Sequence, residues 1–194
     1  MVKKEDRRII KTKMKLGEAL FRLLEYERLG EIRINNLCHE AGVSRATFYN
    51  NFHHIGEVVS FQLSSLILGD TKEEYGKMSV DQDYRRYLCD IIHGIRENQK
   101  ELVTVNKGTD DNIFFTAAMR NFHYQELTEV LSSHRTLIEK KIPFELLLDF
   151  LSLSLSGFTY YVLRHPEMEE SKVVDYGFHL SYRLILDYLN KNPL

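Results

Sequence analysis

The chain has 194 residues, of which 43% are hydrophobic and 11% aromatic, and its formal net charge is -2. Ten glycines and three prolines are too few for a loop-rich β-sandwich or a disordered chain. Two cysteines are too few to stabilise a chain of this length by disulfide bonds, so we expect a reducing, cytoplasmic compartment. The first residues are charged rather than apolar, and we expect no signal peptide.

The charge is unevenly distributed along the chain. Residues 1–53 carry eleven Lys and Arg against seven Asp and Glu, while the remainder carries fifteen against twenty-one. A basic beginning (+4) on an acidic remainder (-6) suggests that the first part contacts a polyanion and the second does not. An ordinary solvated charged surface is the alternative, and charge alone does not choose between them.

Apolar residues recur every three or four positions along the whole chain, and no useful run alternates with a period of two. This pattern predicts an all-α fold, and we expect an N-terminal helical domain over 1–56 and a second helical domain over 57–194. A polar linker is expected at 76–81, and Gly69 is interpreted as a weak point inside the fourth helix. The predicted helices cover 6–27, 35–40, 44–51, 57–74, 82–97, 99–106, 111–132, 143–164 and 169–190.

One apolar stretch, residues 146–163, approaches the length of a membrane span. It contains Asp149 and several Ser and Thr hydroxyls, which are costly in lipid. We therefore predict a buried core or dimerisation helix, with no membrane partner.

The segment from Ile34 to Val59, INNLCHEAGVSRATFYNNFHHIGEVV, contains two short amphipathic helices around a tight turn. Gly42 tolerates the left-handed backbone that stops the first helix, and Ser44 is a good N-cap for the second. Phe48 and Phe52, four residues apart, give the second helix a buried side. Helix, turn containing Gly, and helix is the layout of a helix-turn-helix.

The other side of the second helix is crowded with polar and small residues, from Arg45 to Asn51. The major groove of B-DNA admits one α-helix, and arginine, asparagine and methyl groups recognise its guanine, adenine and thymine edges respectively. Duplex DNA is therefore the predicted partner. The alternative is a pair of packed surface helices that binds no nucleic acid.

The stretch IRINNLCHEAGVSRATFYNNF resembles the N-terminal domain of the tetracycline-repressor (TetR) family, which reads roughly I-x-(V/I)-x-x-(I/L)-(A/C)-x-x-A-G-V-S-x-x-T-F-Y-x-x-F. The resemblance covers about residues 7–60, and the rest agrees only in length and helicity. It implies base contacts from Arg45, Ala46, Thr47 and Asn50, with Thr47 often shared with phosphate, and backbone contacts from Arg33, Tyr49 and Asn51. Ile55 stands where the family usually has Lys, so that phosphate contact is either missing or made by His54, His53 or the N–H groups at the start of the fourth helix. The predicted DNA-binding residues are Arg33, Ser44, Arg45, Ala46, Thr47, Tyr49, Asn50, Asn51 and His54.

The sequence contains little that would indicate an enzyme. No GxSxG, P-loop, GxGxxG or Cys-centred motif occurs, and the eight histidines match no metal-ligand spacing. We predict no catalytic residue, no metal and no cofactor.

The same resemblance implies a small-molecule effector of unspecified identity, bound among the body helices and controlling DNA affinity. The residues proposed to line its pocket, for which plain core is the alternative, are Tyr87, Ile91, Phe115, Met119, Phe122, His123 and Tyr160.

A homodimer is expected, because one helix reads too few base pairs to select a genomic site, and a twofold dimer predicts a near-palindromic operator. Repression is the expected outcome. An activator, or an adaptor controlled by a protein partner, stays as the alternative. The predicted dimerisation residues are Leu147, Leu151, Leu155, Phe158, Phe178, Leu184, Ile185 and Tyr188.

Overall fold

The computed structural model describes residues 7–69, 75–107 and 113–183. These residues form helices joined by short connections and include no β-strand, which confirms the all-α prediction. The helices are α1 (Arg7–Leu24), α2 (Ile34–Ala41), α3 (Arg45–Tyr49), α4 (Ile55–Leu68), α5 (Val80–Glu97), α6 (Gln99–Lys107), α7 (Ile113–Leu131), α8 (Arg135–Ile138), α9 (Phe144–Arg164) and α10 (Glu170–Gly177).

Two helix ends differ from the sequence-based expectation. Gly69 does not continue α4 but ends it, because its φ of 54° belongs to the left-handed region. The predicted extension to residue 74 lies outside the described residues. At the start of α5, Ser79 accepts a hydrogen bond from the Gln82 N–H while the Gln82 side chain accepts one from the Ser79 N–H. This capping box fixes the helix start within the segment predicted as a linker.

Some short elements escaped prediction. A 3₁₀ turn at Ser132–His134 leads into α8, a single helical turn. The last predicted helix is observed as α10 followed by a π-helical stretch, Phe178–Arg183. Residues 184–190 of that prediction lie outside the described part of the chain.

We call α1–α3 the head and α5–α10 the body, with α4 between them. α4 packs against α1 on the head side and against α5 and α7 on the body side. Gly17 of α1 and Gly94 of α5 let these two helices approach α4 closely. A Cβ at Gly17 would clash with the Gln62 side chain, and a Cβ at Gly94 would clash with the Ile67 carbonyl of α4. One apolar core therefore runs from the head through α4 into the body.

The longest helix, α9, shows which of its sides is internal. Leu147, Leu151 and Leu155 are at most 1% exposed and lie against the chain's own core. Phe178 is likewise buried, and Phe158 is half-buried with its ring against Gly177. These five residues were predicted as dimer contacts, and that stays a prediction. Four of them are buried within their own chain, which leaves little of their surface for a partner, while Phe158 keeps part of its surface exposed. Leu184, Ile185 and Tyr188 lie outside the described residues.

The opposite side of α9 carries exposed apolar side chains. Leu146, Phe150 and Leu153 are 53–59% exposed, and Tyr161 is 46% exposed. By length and composition alone α9 could cross a membrane, but half of its most apolar window is buried inside the chain. That burial suits a helix of the protein core with one bare side.

Candidate nucleic-acid interface

The two helices of the predicted helix-turn-helix are present, and the turn between them is fixed by backbone geometry. Gly42 adopts a φ of 64° and its N–H donates to the His39 carbonyl, while the Val43 N–H donates to the Cys38 carbonyl. A side chain at Gly42 would be strained at this φ. The turn redirects the chain into α3, whose first residue is Arg45.

The rings beneath α3 hold it against the head. Phe48 is fully buried and Phe52 is 5% exposed, with ring centroids 6.2 Å apart. Phe52 also contacts Phe61 of α4 at 5.9 Å, edge to face. The phenyl pair therefore anchors α3 from below, as its spacing predicted, and joins it to α4.

Three of the predicted contact residues are engaged in the ends of α3 itself. Ser44 Oγ accepts the Thr47 N–H at 3.0 Å and lies 2.8 Å from Thr47 Oγ1, so the N-cap is formed. At the other end, Asn51 Nδ2 donates to the Thr47 carbonyl at 2.7 Å, and Asn51 is half-buried. These bonds stabilise the short helix, and they occupy some of the donors and acceptors that were predicted to contact DNA.

The outward side of α3 is accessible. Arg45, Ala46 and Asn50 are exposed, and Tyr49 is 45% exposed. The Arg45 guanidinium carbon lies 5.8 Å from the centroid of the Tyr49 ring, within cation–π range. This contact restrains a long side chain that would otherwise sample many rotamers.

A shallow groove of about 440 Å³ collects several of these side chains in one place. Arg33, Arg45, Tyr49 and His54, from three separate stretches of sequence, all line it. Asn35 also lines it and was missed by sequence reasoning, although it follows the predicted Arg33 by two residues at the start of α2. The full lining is Ile32, Arg33, Ile34, Asn35, Arg45, Tyr49, His54 and Ile55.

The start of α4 forms one edge of this groove. His54 is its N-cap residue, and His54 Nε2 lies 3.8 Å from Glu57 Oε1, an ion pair only when the imidazole is protonated. The His53 N–H donates to Glu57 Oε2 at 2.7 Å. Ile55, at the position where the family usually has Lys, is half-buried and adds no charge. The positive charge at this groove therefore comes from Arg33 and Arg45, with His54 adding to it when protonated.

The residues predicted for an effector pocket lie in the body, mostly inside it. Tyr160 is half-buried, and the other six are at most 2% exposed: Tyr87, Ile91, Phe115, Met119, Phe122 and His123. None of the seven lines the groove beside α3 or the larger cleft between α1, α4 and α7. Six of them are packed in the core in this conformation, and their contact with an effector stays a prediction.

His123 is the polar centre of that core. Its Nδ1 lies 2.7 Å from the Tyr87 hydroxyl and its Nε2 lies 2.9 Å from the Thr159 hydroxyl. Burial lowers the pKa of His123 to about 3, so the ring is neutral at physiological pH. A neutral imidazole donates from one nitrogen and accepts at the other, and two hydroxyls satisfy either tautomer.

No family model matches the sequence, and no curated protein matches it. Among solved structures, the chain is similar to one described as a TetR transcriptional regulator from Streptococcus agalactiae 2603V. The two share 20% sequence identity with a TM-score of 0.46, over 91% of this chain and 97% of that one.

Proposed function

We propose that this chain is a TetR-like DNA-binding transcriptional regulator that acts as a homodimer on a near-palindromic operator. The observation that carries the proposal is the groove beside α3, where Arg33, Arg45, Tyr49 and His54 converge above a buried phenyl pair. A short helix held from beneath, with Arg45 on its exposed side and Arg33 in the same groove, suits the major groove of a duplex.

The roles divide by position. Arg45, Ala46, Thr47 and Asn50 would face base edges, where an arginine can donate two bonds to one guanine. Arg33, Tyr49 and His54 would contact the sugar-phosphate backbone, which fixes register without reading sequence. Ser44 and Asn51 contribute first to the helix ends, and we assign them a supporting role in presenting α3.

The dimer surface that we propose is the exposed side of α9. Leu146, Phe150, Leu153 and Tyr161 follow one another at helical spacing, and Gly157 on the same stripe has open space where a Cβ would be. Contiguous exposed apolar side chains mark interaction surfaces, and a twofold axis would place this stripe against its own copy. Tyr176 of α10 and Leu180 of the π-helical stretch are further exposed apolar side chains.

We further propose that an effector shifts the two heads between spacings, with repression as the outcome on DNA. α4 supports this coupling, because it packs on the head and on the body at once.

The test is selection of bound fragments from a random duplex pool at modest ionic strength, using the full chain. We expect a near-palindromic consensus with half-site centres about 34 Å apart or slightly more. Arg45→Ala should weaken binding to the selected site by about 1–3 kcal/mol and relax discrimination at one base pair. Tyr49→Phe should weaken binding to selected and scrambled duplexes alike, because it removes only a hydroxyl that would donate to the sugar-phosphate backbone of DNA.

Lys172→Ala is the control, since Lys172 is an exposed body lysine paired with Glu169 at 3.2 Å. Its DNA affinity should equal that of the wild type. A pool that yields no enriched sequence would refute the proposal. Equal effects of Arg45→Ala and Tyr49→Phe on discrimination would refute the division of roles.

A further inference from the structure

A second cleft lies where the head meets the body, away from the groove beside α3. It has a volume of about 840 Å³ and is formed by α1, α4 and α7 together with the residues that follow α3. This volume is within the range of small-molecule sites. The residues lining it are Ile10, Lys13, Met14, Asn51, Phe52, Glu57, Phe61, Ser64, Ser65, Gly69, Tyr124, Gln125, Glu126, Thr128 and Glu129.

The aromatic wall of this cleft already holds a cation. Lys13 Nζ lies 5.8 Å from the centroid of the Phe52 ring and 5.7 Å from that of Phe61. Ammonium groups at this distance are attracted by the negative faces of aromatic rings. Lys13 is tethered to α1 on a flexible stem, so it can leave the rings without any movement of the backbone.

Carboxylates make up another part of the lining. Glu126 of α7 is 7% exposed, and its Oε1 accepts a hydrogen bond from Ser64 Oγ at 2.7 Å. Glu57 and Glu129 also line the cleft. The described lining contains three carboxylates and one ammonium, and this composition favours a positively charged occupant over an anion.

We propose that this cleft binds a small organic cation with an aromatic or apolar body, which displaces the Lys13 ammonium from the Phe52 and Phe61 rings. Binding at the cleft does not depend on the proposed function, whereas an effect on DNA rests on it. Phe52 contacts both Phe48, beneath α3, and Phe61. An occupant that touches Phe52 therefore acts on the residues that position α3, rather than in the body core where the sequence placed the effector.

Tetraphenylphosphonium and tetraphenylborate test the proposal, because they match in size and shape and differ in the sign of charge. Isothermal titration of the full chain should show the phosphonium binding at least tenfold more tightly than the borate. Lys13→Met removes the competing ammonium and should raise the phosphonium affinity about three- to tenfold. Glu126→Gln should lower it about fivefold, because a neutral amide of the same shape replaces the carboxylate.

Lys15→Met is the matched control, since Lys15 is an exposed lysine on the same helix and does not line the cleft. It should leave the phosphonium affinity unchanged, and circular dichroism should show every variant folded. Equal affinities for the two ions, or a phosphonium affinity unchanged by both Lys13→Met and Glu126→Gln, would overturn the proposal. The titration contains no DNA, so its failure is distinct from a failure of the duplex selection.

Discussion

His123 is a buried titratable side chain whose protonation should affect the acid stability of the body. Both ring nitrogens are hydrogen-bonded to hydroxyls, and its pKa is about 3 when folded against an ordinary value of 6.5. Between these two values the unfolded chain binds a proton that the folded chain does not. The free energy of unfolding should therefore be at its full value above pH 6.5 and fall as the pH drops towards 3.

His123→Gln tests this contribution, because glutamine keeps a donor and an acceptor but does not titrate. In the wild type, His123 should make unfolding about 2 kcal/mol easier at pH 5 than at pH 7. The variant loses some hydrogen bonding at every pH, which lowers its free energy of unfolding by the same amount at pH 5 and pH 7. The difference in free energy of unfolding between the two pH values that His123 causes should disappear. Urea titrations at both pH values, at one fixed protein concentration, measure the difference. An unchanged pH dependence would show that His123 is not the group responsible.

Half of the residues that line the groove beside α3 were named from the sequence, namely Arg33, Arg45, Tyr49 and His54, and the family resemblance rather than spacing supplied most of them. Residue spacing could not show which hydrogen bonds each of the predicted side chains makes. Asn51 was assigned to DNA, yet its amide donates to the Thr47 carbonyl at the end of α3. That choice depends on the end of a five-residue helix, which no sequence pattern fixes.

At the scale of helices, two buried glycines show how differently α4 is held on its two sides. A Cβ at Gly94 would lie 1.7 Å from the Ile67 carbonyl oxygen, a backbone atom that cannot move away. A Cβ at Gly17 would lie 1.9 Å from Gln62 Oε1, the end of a flexible side chain. Gly94→Ala should therefore destabilise the chain by about 2 kcal/mol or more.

Gly17→Ala serves as the matched comparison, since it is also a mid-helix glycine facing α4. Better helix propensity, worth up to about 1 kcal/mol, should offset the movement of Gln62 and leave stability near that of the wild type. Thermal unfolding of both variants at equal concentration measures the contrast. Equal losses in the two would mean that the α4–α5 approach is not closer than the α1–α4 approach.

Most helix bounds followed from periodicity, but two features of the helices did not. α9 is apolar on both sides, so Leu147, Leu151 and Leu155 could not be distinguished from Leu146, Phe150 and Leu153 as the inward set. Which set is buried depends on where α7 packs against α9, and this tertiary contact is not visible in the local sequence pattern. The left-handed Gly69 was equally hidden, because a glycine in an apolar pattern is compatible with continuing or ending a helix.

For the whole molecule, the exposed side of α9 decides whether two heads act together. Leu153→Glu and Phe150→Glu would each place a charge on the proposed twofold surface, where it would meet its own copy. We expect the wild type to sediment as a dimer at micromolar concentration and both variants as monomers with unchanged helix content. Tyr26→Glu, at a site 83% exposed just after α1, is the control and should remain dimeric. Because one head reads only a few base pairs, the monomeric variants should also lose most of their affinity for a palindromic duplex. Dimers that persist in both variants would place the interface elsewhere on the chain.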